Sequence, residues 1–212
     1  MDKDLIYNKE LDLYRILMDL KPRGIIHAGA HVGNAIIMYV SCNINNRCWI
    51  EADPETFKKL LDRLTIYDIA LNYAVCDRDE IMQFIRTNND QSNSLYKLKD
   101  HSICYPGIVE IETIQLQAHR IDTLIEHGFI NIDLYDVLLM DIQGAEFHAL
   151  QGFTKNIKHI NHVIAEINYR ELYEGCMLVD DFDCYMETLG FTKVEATCYD
   201  NFGWGDALYS RL

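Results

Sequence analysis

Apolar residues recur along this chain in short clusters whose spacing switches between a helical period and continuous runs. Leu5, Leu13, Ile16, Leu17 and Leu20 fall near helical spacing, which predicts a helix over residues 4–20 that stops before Pro22. Gly24-Ile25-Ile26-His27-Ala28 is short and mostly apolar, the pattern of a strand buried on both faces of a parallel sheet. From there predicted strands and helices alternate. A helix over Asn34–Val40 is followed by the strand Arg47–Ile50 ending at Glu51, then by a helix over Pro54–Leu64 with proline in its first turn. Asp68–Val75 reads as a third strand and Ile81–Arg86 as an added one; Val109–Leu116 has strand character and Ile121–His127 that of a short helix. A strand ending in Asp141 leads into the helical pattern Phe147-His148-Ala149-Leu150. The last part predicts a strand over Val163–Ile167, a helix over Asp180–Leu189 and closing strands around Thr192–Cys198 and Asp206–Arg211. Such alternation means a parallel sheet with helices on both faces. Only residues 87–107 break the rhythm: TNNDQSNSLYKLKDHSICYPG is a long polar segment, expected to cover a site as a mobile loop with Ser94, Leu95 and Tyr96 as its contact residues.

With 212 residues, 49% of them hydrophobic, the chain suffices for one ordinary core and is short for two. Residues 1–22 are expected to form an N-terminal helical extension of a single domain, 23–212. The formal charge of −14 repels phosphate backbones and anionic headgroups, so neither nucleic acid nor membrane is an expected partner. Seven scattered cysteines without a CxxC suit reduced core thiols. The acidic, amphipathic N-terminus lacks a long apolar run, and the expected location is cytoplasmic. The histidines do not fall at a metal-ligand spacing such as HExxH, so no metal is expected.

The chemistry-bearing positions lie just after the predicted strands, where open parallel sheets place ligands. Gly29-Ala30-His31-Val32-Gly33 is a turn of small residues that lets backbone approach a ligand, and about 20 residues further on Glu51 is placed to accept hydrogen bonds from ribose hydroxyls. GAHVG is not GxGxxG, which argues against a dinucleotide held by its pyrophosphate and hence against a nicotinamide-dependent oxidoreductase. S-adenosylmethionine, with a ribose and no pyrophosphate, fits better, and an acidic protein attracts its sulfonium.

The segment DIQGAE (Asp141–Glu146) followed by a helix carrying AL-x-GF resembles the FkbM family of S-adenosylmethionine-dependent methyltransferases, whose members carry D-x-x-G-x-E here. Further segments agree in order: IHAGAHVG, WIEADPE, NYAVCD, SNSL, RIDTL, VIAEIN, GFTKVEA and GDALYSRL, spanning about residues 24–212. The resemblance implies a Rossmann-like class I methyltransferase fold, a mostly parallel seven-stranded sheet with helices on both faces and a C-terminal antiparallel hairpin. It further implies O-methylation of a hydroxyl on a sugar, glycan or small molecule. Gly29, Ala30, His31, Gly33, Glu51, Ala52, Asp53, Ala74, Val75 and Asp141 are the expected cofactor contacts, with Asp77 near the adenine. Asp141, His31 and Glu166 are the candidate bases, Asp141 alternatively binding the cofactor ammonium, and Glu146 is either a helix N-terminal carboxylate or an acceptor contact. Two positions depart from the family pattern: His27 stands for the usual acidic residue and Met140 for the usual lysine. The alternative reading is a catalytically inactive cofactor- or glycan-binding module on the same fold.

Overall fold

The computed structural model describes residues 5–7 and 10–211. The chain runs β1 (Leu5–Tyr7), α1 (Leu13–Leu20), β2 (Gly24–Ala28), α2 (Ile36–Ser41), β3 (Asn46–Ile50), α3 (Pro54–Leu61), β4 (Asp68–Leu71), β5 (Ala74–Val75), β6 (Glu80–Thr87), α4 (His101–Cys104), β7 (Glu110–His119), α5 (Ile121–Glu126), β8 (Val137–Met140), α6 (Glu146–Gln151), β9 (His162–Asn168), α7 (Val179–Thr188), β10 (Thr192–Cys198) and β11 (Trp204–Ser210).

The main sheet has the order β1-β10-β11-β9-β8-β2-β3-β4. Strands β4, β3, β2, β8 and β9 are parallel, and β11 joins β9 and β10 antiparallel. This is the seven-stranded class I arrangement with its C-terminal antiparallel strands, to which β1 adds an eighth strand parallel to β10. Every residue of β2 and β8 is buried, as central strands covered on both faces require. Successive residues face opposite sides. Ile25, Trp49, Val137 and Ile164 therefore pack under α1, α2 and α3, while Ile26, Cys48, Leu138 and Val163 enter the larger core with α5, α6 and α7.

Two expected elements are divided in the structure. The N-terminal helix begins at Leu13 because Asp12 caps it, accepting the backbone N–H of Arg15 at 3.0 Å, and Leu5 belongs to β1 instead; residues 4, 8 and 9 of the expected helix lie outside the described residues. The expected third strand Asp68–Val75 splits at Asn72, whose side chain donates to the carbonyls of Glu51 at 2.8 Å and Ala52 at 3.0 Å. Beyond that point β5 pairs with β7, which pairs antiparallel with β6 in a separate three-stranded sheet beside the C-terminal ends of β3 and β4.

Residues 87–107 are held in place at several points. Ile85 and Ser94 exchange backbone hydrogen bonds at 2.8 and 3.0 Å, the Ser94 hydroxyl donates to the Gln143 carbonyl at 2.7 Å, and Lys99 N–H donates to the Leu172 carbonyl at 2.8 Å. Among the described residues no helix is long and apolar enough to cross a membrane.

Candidate active site

Strand β2 sits where the order of connection reverses, with β3 on one side and β8 on the other, and the ends of these strands open onto a cavity of about 660 Å³. That size is in the range of small-molecule and cofactor sites. Its floor is two turns in contact. Gly29, at φ +80°, lies so close to the Asp141 carbonyl that an added Cβ would stand 1.7 Å from that oxygen. Any side chain there would force the turn after β2 away from the turn after β8.

Glu51, at the end of β3, is buried, and both of its oxygens are anchored: Oε2 accepts the N–H of His31 at 2.8 Å and Oε1 the N–H of Asp53 at 2.8 Å. Burial pushes its acidity weaker than usual and the two N–H groups oppose this. Each carboxylate oxygen has two acceptor sites, so capacity remains for the ligand. Ala52, Tyr73, Ala74, Val75 and Leu95 supply the apolar wall beside it. A carboxylate with spare lone pairs next to an apolar slot fits the ribose and adenine of S-adenosylmethionine.

Not every expected contact reaches this cavity. Asp53 caps α3, accepting the N–H of Glu55 at 2.8 Å, and takes both arms of the Arg86 guanidinium at 2.7 and 2.9 Å together with the Asn93 amide at 3.1 Å. Its oxygens are committed to joining α3, β6 and the 87–107 segment, so it stands behind the wall rather than in it. Gly33, at φ +75°, packs against Leu60. Asp77 pairs with Arg78 at 2.8 Å, which outweighs burial and holds its carboxyl at about 2.

The opposite end is carboxylate-rich. Gln143 adopts φ +55°, and its side-chain amide donates to Asp141 Oδ1 at 2.6 Å and to Glu166 Oε2 at 3.0 Å. The Tyr173 hydroxyl donates to Gln143 Oε1, which fixes the amide's orientation. One neutral amide thus holds two acidic groups that repel each other. Burial raises Asp141 above the usual carboxylate range, against the Gln143 hydrogen bond and the nearby His31. Burial raises Glu166 further, and the charges of Asp141, Glu146 and Asp206 act in the same direction. Asp206 lies directly across from Glu166 in the β9–β11 pairing and is pushed up to about 7 by burial and then by Asp141 and Glu10.

His31 lines the cavity with φ +49°, but its Nε2 faces Asp90 Oδ1 at 3.0 Å, so hydrogen bonds join Asp141 and Glu166 without it. Glu146 does not line the cavity; its Oε1 accepts the Ile142 N–H at 2.8 Å and closes the DIQG turn at the start of α6. His27 is buried and lines the cavity, its Nδ1 2.9 Å from the Tyr39 hydroxyl, and burial lowers it to about 4. It is neutral at pH 7 where the family pattern has an acid. Of the expected loop contacts only Leu95 lines the cavity; Ser94 binds the Gln143 carbonyl, and the Tyr96 hydroxyl lies 2.8 Å from His148 Nδ1.

Sequence reasoning missed the roles of Gln143, Tyr173 and Asp206. Gln143 sits inside the DIQG motif, whose length and turn implied a special residue, and Asp206 interrupts an otherwise apolar strand; Tyr173 carries no local signal.

Comparison with known proteins bears on the fold and the family. The structure resembles a magnesium protoporphyrin IX methyltransferase of Synechocystis PCC 6803 with bound SAM, at a TM-score of 0.50 and 9% identity, over 95% of this chain and 77% of that one. It also resembles a tRNA (m1A22) methyltransferase candidate of Streptococcus pneumoniae in complex with S-adenosyl-L-methionine, at a TM-score of 0.51 and 9% identity, over 96% of this chain and 73% of that one. Both likenesses are to the fold alone. In sequence the chain is 28% identical over 123 residues to the 2-O-methyltransferase NoeI of Sinorhizobium fredii, a stretch of 54% of this chain and about half, 48%, of that protein. The methyltransferase FkbM domain matches residues 27–193, and the chain belongs to this family of S-adenosylmethionine-dependent methyltransferases.

Proposed function

We propose that this protein transfers a methyl group from S-adenosylmethionine to a hydroxyl of a sugar or glycan. The observation that carries the reading is the Asp141–Gln143–Glu166 arrangement on the cavity side opposite the ribose-type site at Glu51. NoeI, a 2-O-methyltransferase by name, supports an oxygen acceptor.

When bound, S-adenosylmethionine supplies a methyl carbon on a sulfonium, open to in-line displacement. The chain's part is to hold an acceptor oxygen in line with that carbon and to take its proton. Glu51 would hold the ribose, and the Gly29 turn, packed against Asp141, would leave room for the cofactor beside it. The acceptor hydroxyl donates to Glu166 or Asp141, and that carboxylate takes its proton when the methyl group, which the bound cofactor would supply from its sulfonium, passes to the oxygen. Burial makes both carboxylates stronger bases than exposed ones. Gln143 keeps them in reach of one position.

Incubation of the purified protein with methyl-labelled cofactor and a panel of neutral glycans tests the reading by mass spectrometry of the acceptor. A mass gain of one methyl on an oxygen is expected. Tight binding of S-adenosylhomocysteine with no methyl transferred to any hydroxyl would favour the inactive-module reading, and binding of NAD in its place would remove the cofactor assignment.

A further inference from the structure

The cavity wall beyond Glu166 contains aromatic rings that the cofactor reading does not use. Tyr105, just after α4, Tyr199, just after β10, and Trp204, the first residue of β11, all line the cavity. They are built as a unit. Trp204 Nε1 donates to the Tyr105 hydroxyl at 2.9 Å, the Tyr199 and Trp204 rings lie 4.6 Å apart, and Tyr105 stacks on Phe202 at 5.0 Å with only 9° between planes. Trp204 and Asp206 are two residues apart on one strand and so share a face of the sheet.

Their position separates them from the cofactor's ribose. From β3 to β11 the sheet order counts four strand spacings, through β2, β8 and β9. At about 4.8 Å per spacing this is roughly 19 Å. The aromatic wall is therefore at the acceptor end, beside Asp206, Glu166 and Asp141.

The charges at that end are of one sign. Glu166, Asp206, Asp141 and Glu10 line it, and among the described residues no lysine or arginine lines any part of the cavity. The chain as a whole carries −14. A diphosphate placed there would meet carboxylates at short range in a partly dry site, where like charges repel strongly. An uncharged ring with an apolar face and hydroxyl edges meets what it needs: an aromatic surface to lie on and acceptors for its O–H groups.

Resting on the sugar O-methylation reading, we infer that Tyr105, Tyr199 and Trp204 form a stacking subsite for an uncharged glycosyl ring, and that the acceptor is a glycoside already released from its nucleotide. The reaction that supplies this substrate is then a glycosyl transfer, with methylation following it.

Binding to the protein loaded with S-adenosylhomocysteine tests this without requiring turnover. The probes are methyl glycosides of neutral hexoses, chitin- and glucan-type oligosaccharides, and the UDP-linked forms of the same hexoses, followed by calorimetry. At least one uncharged glycoside is expected to saturate the site and its UDP form to bind at least about tenfold more weakly. Trp204→Ala should weaken the glycoside about tenfold, as expected for loss of a stacking face of about 1.4 kcal/mol, while Trp204→Phe keeps most of the affinity. Unchanged S-adenosylhomocysteine affinity in both variants shows that the fold is intact. Equal binding of the UDP form, no saturable binding of any glycoside, or an unaltered glycoside affinity in Trp204→Ala would overturn the inference. Trp204-dependent glycoside binding without methyl transfer would support the subsite and remove the O-methylation reading instead.

Discussion

The Glu51 carboxylate accepts the backbone N–H of His31 at 2.8 Å, so the residue proposed to hold the ribose also pins the glycine turn of the neighbouring strand. His31 is held at φ +49°, a backbone conformation that a non-glycine residue adopts only when its surroundings impose it. The shape of the turn therefore depends on one side chain, and on the proposed reading cofactor binding depends on the same one.

Glu51→Ala is expected to weaken S-adenosylhomocysteine binding tenfold to a hundredfold, about 1.5 to 3 kcal/mol for hydrogen bonds to a charged acceptor. Titration calorimetry measures it. Affinity within twofold of the parent would mean that the ribose lies elsewhere.

Turnover should rise with pH. Glu166 and Asp141 are both raised, and only an ionised carboxylate takes the acceptor proton, so the rate grows as the pair loses its proton. Glu166→Gln should lower kcat by roughly 10²- to 10⁴-fold, the ordinary worth of a positioned base, with cofactor affinity little changed. A flat pH profile together with a loss of less than tenfold would show that neither carboxylate takes the proton.

Glu146 supplies a stability prediction with a definite sign. Burial raises it to about 7, with Asp141 adding to the shift against backbone hydrogen bonds that lower it. A carboxyl raised in the fold favours folding fully below its unfolded value and loses that contribution as pH rises through the folded one. Glu146→Gln keeps an acceptor for the Ile142 N–H but has no charge to bury. The variant should match the parent near pH 5 and exceed it near pH 8 by an amount on the order of 3 kcal/mol. Denaturant unfolding at the two pH values is the check, and a constant difference between them would place the burden of ionisation on other groups.

The 87–107 segment should behave as a built wall. The amides of Ile85 and Ser94 bond to each other's carbonyls, so they are expected to exchange slowly even in cofactor-free protein. Ser94→Ala removes the bond to the Gln143 carbonyl and should speed exchange at Gln143 and Gly144 as well. Hydrogen exchange read by mass spectrometry decides between this and a mobile cover: fast exchange throughout the segment, slowing only with ligand, would restore the cover.

Much of the architecture was legible in the residue pattern because its causes are local. Continuous apolar runs as short as Gly24–Ala28 and Val137–Met140 suit buried strands, and Pro54 after Asp53 marks a capped helix start. Glu51 was legible too, since its place at a strand end follows from strand and turn lengths. What the pattern could not contain were choices between partners distant in the chain. Asp53 looked like a cofactor ligand until the fold brought Arg86 and Asn93 against it, 33 and 40 residues away. Asp68–Val75 looked like one strand because side-chain alternation does not reveal which neighbour a backbone will pair with, and the switch of partner at Asn72 is set by sheet packing. The Gln143 amide has no fixed role until Tyr173, Asp141 and Glu166 surround it. Local sequence thus determined the elements and the glycine turn after β2, while the pairing of carboxylates and the aromatic wall were decided by tertiary structure, because their hydrogen bonds and charges act across space between segments that the chain itself keeps far apart.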